Sequence, residues 1–350
     1  MKWLLYLLVP LVPLGLSAQM KINANSKVTA KGVLSTNTSI TNASTTTDFT
    51  NVEIFLEGGN QQATTGQPLV VSTLSVNKGG TKTITGNWEV TNAIALTDGI
   101  IKIGSGAKLL YSGSAALQGR DISYVDGFLH INNTLANSRL TFPVGVNAAY
   151  TPVVVEDAPV GEIGFATIAG DAGLSLPADI SSFYSGWYWQ STEPVNSAVS
   201  LSLNGVETFL GSGAPYVLES DATGGTATSL GGSVSASFVL SSDPSSKTIL
   251  AIGKGAEFSV VIHDMITPYT LDNVNDKLTI ENIELTESNN VKLVDRWGLV
   301  VKEWTDFTND VEYDFSQLSP GNYVCVVEYS YPGSSTRATT KGVVTILKSN

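Results

Sequence analysis

The chain has 350 residues, only 14% of them charged, with 33 glycines, one cysteine and a formal net charge of −12 at pH 7. That length allows about two or three domains of ordinary size, each with a real core. The acidic balance argues against a nucleic-acid partner, whose phosphates would be repelled with no counterion release to gain. The lone Cys325 excludes an internal disulfide, so stability has to come from burial.

In chain order, "MKWLLYLLVPLVPLGLSAQ" carries one early lysine, an apolar stretch and a small-residue end, which predicts a secretory signal peptide over residues 1–18 cut after Ser17 or Ala18. Pro10 and Pro13 and the short run weigh against a membrane span. Export with a lone thiol fits a bacterial envelope better than a eukaryotic secretory route. Residues 20–50, including "STNTSITNASTTTDFTN", offer little to bury and predict an irregular or edge lead-in. Recurrent Ser, Thr, Asn, Gly and Val, with no long 3.6-residue apolar period, make the whole chain all-β.

Within the 19–135 region, short runs such as "VEIFLEGG", "LVVSTLSVNKGG", "TKTITGNWEV" and "AIALTDG" repeat between turn signals such as Asp98-Gly99. Degenerate repeats of similar length predict stacked parallel rungs, a β-solenoid, with an antiparallel meander as the alternative. Pro143, Gly145 and Pro152 mark a change, and "SLSLNG" and "SVSASFVLSS" alternate cleanly, so residues 136–255 predict antiparallel sandwich packing. The last 95 residues, 256–350, predict an Ig-like β-sandwich of about seven or eight strands. Its hairpin "NNVKLVDRWGLVVKEW" puts Asp295 first and Gly298 fourth in a type I turn, with Val291, Leu293, Leu299 and Val301 expected on one buried face. Tyr323, Cys325, Val327 and Tyr329 alternate onto one face of a later strand.

Four motifs in this region, taken in order, resemble the gliding-motility-associated C-terminal domain of Bacteroidota, the type B sorting domain of the type 9 secretion system. "ITPYTLDNVNDKLTI" is similar to the family's TPNGDGxND loop, "VDRWGLVV" to its Asn-Arg-Trp-Gly hairpin, "LSPGNYVCVV" to its LPxGxYxYxV strand and "KGVVTILK" to its closing strand. The matching positions are Pro268, Asp272, Asn275 and Asp276; Arg296, Trp297 and Gly298; Pro320, Gly321 and Tyr323; Lys341 and Gly342. The chain departs from the pattern at Tyr269, Asn273 and Asp295, and "VEYDFSQ" stands where the family has Trp-x-Gly. The resemblance implies recognition by the type 9 translocon together with a PorP/SprF-like outer-membrane protein, and a domain that stays attached after export. Strand addition to the edge of "GVVTILK" is one expected mode, with Trp297 packing on the sandwich and holding the turn and Arg296 left for a partner or an acidic neighbour. Upstream, "YVDGFL" (124–129), "FPVG" (142–145) and "YTPV" (150–153) are similar to segments of large Bacteroidota surface proteins, which implies a surface setting for the passenger.

Asp272, Asn275 and Asp276 carry the oxygen ligands a calcium ion takes, but Val274 interrupts the alternation and Asx turn-capping is the plainer role. "FYSGWYWQ" makes Tyr184, Trp187 and Tyr188 candidates for stacking on surface glycans, against core packing for Trp187 and Trp189. Trp88 and Trp304 read as core, Cys325 as an inert buried thiol, and His130 and His263 lack zinc-site spacing. No nucleophile motif, phosphate loop or cofactor fingerprint is present. Glu89, Asp98 or Asp121 on neighbouring rungs would serve a polysaccharide lyase or glycoside hydrolase, the enzymatic alternative to a non-enzymatic adhesin or surface-structural module.

Overall fold

The computed structural model describes residues 20–22, 27–44, 46–177, 180–210, 213–255, 259–268, 275–311, 314–315, 317–330 and 337–347. The expected signal segment lies outside these residues. The chain divides into two compact units: Met1–Pro177 with Phe183–Gly211 and Tyr216–Gly253, and Lys254–Asn350 with the short pieces Ala178–Ser182 and Ser212–Pro215.

The first unit opens as a parallel solenoid. Strands Met20–Ile22, Ile40–Asn42, Gln61–Thr65, Thr81–Thr85, Ile100–Ile103 and Val125–Asp126 form one sheet, and alternate with Lys27–Thr36, Thr46–Leu56, Leu69–Val76, Asn87–Leu96, Lys108–Tyr111 and Leu129–Asn133 in another. Each strand pairs in parallel with the next but one, as Leu56 with Val76 and Val76 with Leu96. The antiparallel meander is thereby excluded. Because side chains alternate across a strand and the rungs are in register, apolar residues stack in columns between the sheets, such as Ile54, Leu74 and Ile94, or Leu69, Trp88, Leu109 and Leu129.

Of the irregular or edge lead-in expected for residues 20–50, the edge reading holds and the irregular one is corrected: Met20–Ile22 and Lys27–Thr36 are the edge strands of the two sheets, and the next strands follow with Ile40 and Phe49 buried. The ladder hydrogen bonds come from the next rung, so a Ser/Thr-rich strand needs few apolar side chains of its own. Glycines turn the corners: Gly80 has φ +69°, and a Cβ there would lie 2.3 Å from the Gly59 carbonyl oxygen. Beneath that corner Lys82 is wholly buried, its Nζ donating to the carbonyls of Gly58, Gly59 (3.0 Å) and Gly79. An ammonium has three donors, and here each finds an acceptor. Burial lowers the Lys82 pKa, with Asp98 opposing the shift. One rung earlier Gln61 does the same work, donating Nε2 to the carbonyls of Thr36 (3.0 Å) and Thr38 (2.9 Å).

The parallel stack ends at Leu129–Asn133, whose free edge pairs antiparallel with Gly161–Ala169; Trp187–Ser191, Ile249–Gly255 and Pro215–Ser220 follow in the same sheet. A second antiparallel sheet runs Ser138–Phe142, Val153–Ala158, Val199–Ser202, Phe238–Leu240, Ser233–Ser235. The layers meet through Phe142 and Phe165, 4.9 Å between ring centroids, and through Trp189, whose Nε1 donates to the Thr151 carbonyl at 2.8 Å. One continuous apolar cluster runs from Ile40 to Ile252, so position 135 marks a change of strand direction inside one unit. Glu219, 3% exposed, accepts from Ser245 Oγ, Ser246 N, Ser246 Oγ and Lys247 N at 2.8–3.1 Å and pins the loop before the last strand.

The second unit holds a 5-stranded sheet in the order Met265–Ile266, Arg337–Ile346, Gly321–Ser330, Ser288–Val294, Val300–Thr305. Val291, Leu293, Tyr323, Cys325, Val327, Tyr329, Val344 and Ile346 make its buried face. The second layer expected of a seven- or eight-strand sandwich is present among the described residues only as the pair Val261–Ile262 with Ile280–Glu281 and the short turn Ile283–Leu285. Loops complete the cover because side chains supply their hydrogen bonds: Asn289 Oδ1 accepts from Phe307 N (2.7 Å), while Asn309 bonds Ile280 N (2.9 Å) and O (2.8 Å). Ile262 lies over Gly342, where a Cβ would come within 3.1 Å of it.

Candidate functional site

The hairpin between Ser288–Val294 and Val300–Thr305 turns as its residue types demand. Gly298 N donates to the Asp295 carbonyl (3.0 Å), Asp295 N to the Leu299 carbonyl (2.9 Å), and Gly298 takes φ +83°. The Asp295 carboxylate also accepts from the amides of Trp297 (2.8 Å) and Leu299 (2.9 Å). This carboxylate therefore clamps the turn from inside.

Two expectations about the tip are corrected. Trp297 does not pack on the sheet; it is 77% exposed, with the Arg296 guanidinium 5.4 Å from its ring centroid. Leu299, expected on the buried face beside Val291 and Leu293, is 65% exposed, and Val300 is 52% exposed. The register shifts between Leu293 and Val294 and the Ser288–Val294 strand ends there, so the turn runs past its pairing. The edge "GVVTILK" is closed only in part: Thr345 and Ile346 are paired in parallel with Met265 and Ile266, while among the described residues no strand pairs with residues 342–344 on that side. On the opposite side Val300–Thr305 is the edge strand, with nothing paired to its outer side among the described residues.

The other motif residues are scattered. Pro268 is half-buried and precedes residues outside the description, Asp272 among them, so the calcium set stands as an expectation. Asn275 has φ +56° and its carbonyl accepts from Thr267 N, while Asp276 is half-buried. Among the described residues no group of three or more His, Cys, Asp and Glu could hold a metal. Pro320 is exposed and Gly321 has φ +150°; Tyr323 is buried, its hydroxyl donating to the Ser319 carbonyl at 2.8 Å. Lys341 is exposed opposite Val326. Burial pushes the Cys325 thiol up to about 12.

Of the aromatic candidates in the first unit, Tyr184 and Trp187 stack edge to face at 4.6 Å, with Phe209 5.7 Å from Tyr184, and pack half-buried against the core. Tyr188 points to the opposite face from Trp187 and Trp189 and is half-buried. Trp88 is 1% exposed, and Trp304 packs on Phe307 and Phe315. The three acids each have local contacts: Glu89 accepts from Ser112 Oγ (2.8 Å), Asp98 faces Lys82, and Asp121 accepts from Asn204 Nδ2 (3.3 Å). His130 Nδ1 lies 2.7 Å from Glu162 Oε1, and Lys108 Nζ 2.7 Å from Glu162 Oε2. Burial lowers the His130 pKa against the pull of Glu162. A feature that motif reading missed is an open cleft of about 460 Å³ lined by Ser39, Asn60, Gln61, Gln62, Thr81 and Thr83.

The chain thus has two parts, a repeat body and a small terminal unit whose hairpin tip presents apolar groups to solvent. Residues 260–346 match the family model described as the CHU_C type IX secretion signal domain. The terminal unit is thus a C-terminal sorting domain that engages the type IX machinery, and the chain is exported across the outer membrane to the cell surface or extracellular space. No curated protein and no solved structure matches the chain.

Proposed function

We propose that the exported body is a non-enzymatic adhesin or surface-structural module that holds neutral glycans on one face of its solenoid. A signal peptide delivers the chain to the periplasm, the sorting domain passes it to the translocon with a PorP/SprF-like outer-membrane protein, and the domain remains attached outside. The cleft across three rungs carries the glycan reading. Its lining is all amides and hydroxyls, with Ser39, Gln62 and Thr83 on successive outward positions. Rungs about 4.8 Å apart present these groups at a regular repeat. On a chain of net charge −12, an uncharged polar lining suits a ligand that offers hydroxyls and no anion. The packed rings of Tyr184 and Trp187 leave little free face for a sugar, so the cleft is the stronger candidate.

The test is binding of the full-length chain to a panel of neutral and acidic polysaccharides, with product analysis in parallel. Binding of a neutral glycan without turnover, weakened about tenfold or more in a Gln62→Ala/Thr83→Val double variant, supports the adhesin. Turnover abolished by Glu89→Gln, Asp98→Asn or Asp121→Asn would replace it with the enzyme. Neither binding nor turnover would leave a structural module.

A further inference from the structure

We propose that the Asp295–Val300 tip is the recognition element of the sorting domain, with Trp297, Leu299 and Val300 seated in an apolar pocket of an outer-membrane protein of the type IX machinery. The pocket's rim carries a carboxylate that receives Arg296. This inference rests on the sorting assignment and names the surface through which that sorting is read.

The tip's exposure is the first ground. Trp88 and Trp189 are buried to within 1% and Trp304 packs on two phenylalanines, yet Trp297 is 77% exposed beside two further exposed aliphatic side chains. Exposed large apolar groups in a cluster mark contact sites, and Trp with Arg is the pair most enriched where binding energy concentrates. Rigidity is the second ground. The Asp295 carboxylate holds two amides of the turn and Gly298 relieves its backbone, so little order remains to be acquired on docking.

Charge is the third ground, and it selects the occupant. Arg296 has no ion pair among the described residues, and Lys277, Lys302, Arg337 and Lys341 of this unit have none either; Arg296 differs by its place, against the Trp297 ring inside the exposed apolar cluster. A cation fixed within the apolar contact surface calls for an acidic group on the partner. A net charge of −12 disfavours an anionic lipid surface as that partner. Among the described residues the outer side of Val300–Thr305 is unpaired; it continues from the tip and gives the partner a backbone ladder to extend.

The experiment is a secretion assay of the full-length chain in a host with a working type IX system. It compares Trp297→Ala, Trp297→Phe, Arg296→Glu and a chain ending after Gly255. Surface and periplasmic pools are quantified, and the periplasmic pool is tested for protease resistance of the terminal unit. The proposal expects roughly tenfold less surface protein for Trp297→Ala and Arg296→Glu. It also expects a folded periplasmic pool and substantial recovery with Trp297→Phe. Wild-type export of Trp297→Ala and Arg296→Glu overturns the proposal while leaving the sorting assignment intact, provided the truncated chain stays inside. Export of the truncated chain overturns the sorting assignment itself. An unfolded periplasmic pool for both variants reduces the tip to a structural element, and Trp297-dependent binding to protein-free outer-membrane lipid vesicles transfers it to a lipid; either result sinks the proposal.

Discussion

The two units put the same residue type to opposite uses. In the solenoid body Trp88 and Trp189 are 1% and 0% exposed and stand in a core filled from both sides, whereas Trp297 of the terminal unit is 77% exposed on a clamped turn. The body has two facing sheets, so an apolar side chain on the inward register always meets another. Among the described residues the terminal unit has one five-stranded sheet with a two-stranded pair and loops beside it, and a hairpin tip that runs past the paired strands presents whatever it carries. Exposure of a large apolar group is therefore informative in the second unit in a way that burial in the first is not.

The largest effect should come from emptying the body. Trp88→Ala removes a side chain stacked between Leu69 and Leu109, and should destabilise the first unit by about 3–5 kcal/mol in a denaturant titration. Glu219→Ala removes the carboxylate that accepts from the buried Ser245 hydroxyl and from the part-buried Ser246 and Lys247 amides, and should cost about 1–3 kcal/mol in the same measurement, with the loop at Ser245–Lys247 losing hydrogen-exchange protection first.

In the terminal unit burial of one thiol makes stability depend on alkaline pH. The Cys325 thiol, at about 12 in the folded chain against an ordinary 9.0, stays protonated while the unfolded chain ionises. Its contribution is complete below pH 9 and is lost as pH rises toward 12; Cys325→Val should flatten that alkaline slope. Gly342→Ala pushes a Cβ to 3.1 Å from Ile262, which should cost about 1 kcal/mol or less, read as a small shift of the terminal unit's unfolding midpoint. Trp297→Ala should change stability by less than about 0.5 kcal/mol, the smallest effect of the set. A loss comparable to that of Trp88→Ala would erase the contrast between the units.

How much of this was legible follows from where the determining contacts lie. Short apolar runs at regular spacing are local, so the solenoid and the all-β class could be read directly, and so could the turn chemistry of Asp295 and Gly298. Lys82 could not: in "TKTIT" it looks like an outward residue, and only the stacking of Gly58, Gly59 and Gly79 creates the carbonyls that hold it inside. Residues 20–50 are legible as an edge but not as regular strands, because their partners are backbone groups of neighbouring rungs. Leu299 is expected on the buried face because alternation continues on paper past the residue where the Ser288–Val294 strand ends. The closed part of the terminal edge depends on Met265 and Ile266 meeting Thr345 and Ile346, contacts too distant in sequence for any motif to announce.

The most direct test of the two-part account is protease accessibility in intact cells of a type IX-competent host, comparing the full chain with one ending after Gly255. The account predicts that the full chain is cleaved from outside and the shortened one is protected in the periplasm. Equal accessibility of the two would contradict it.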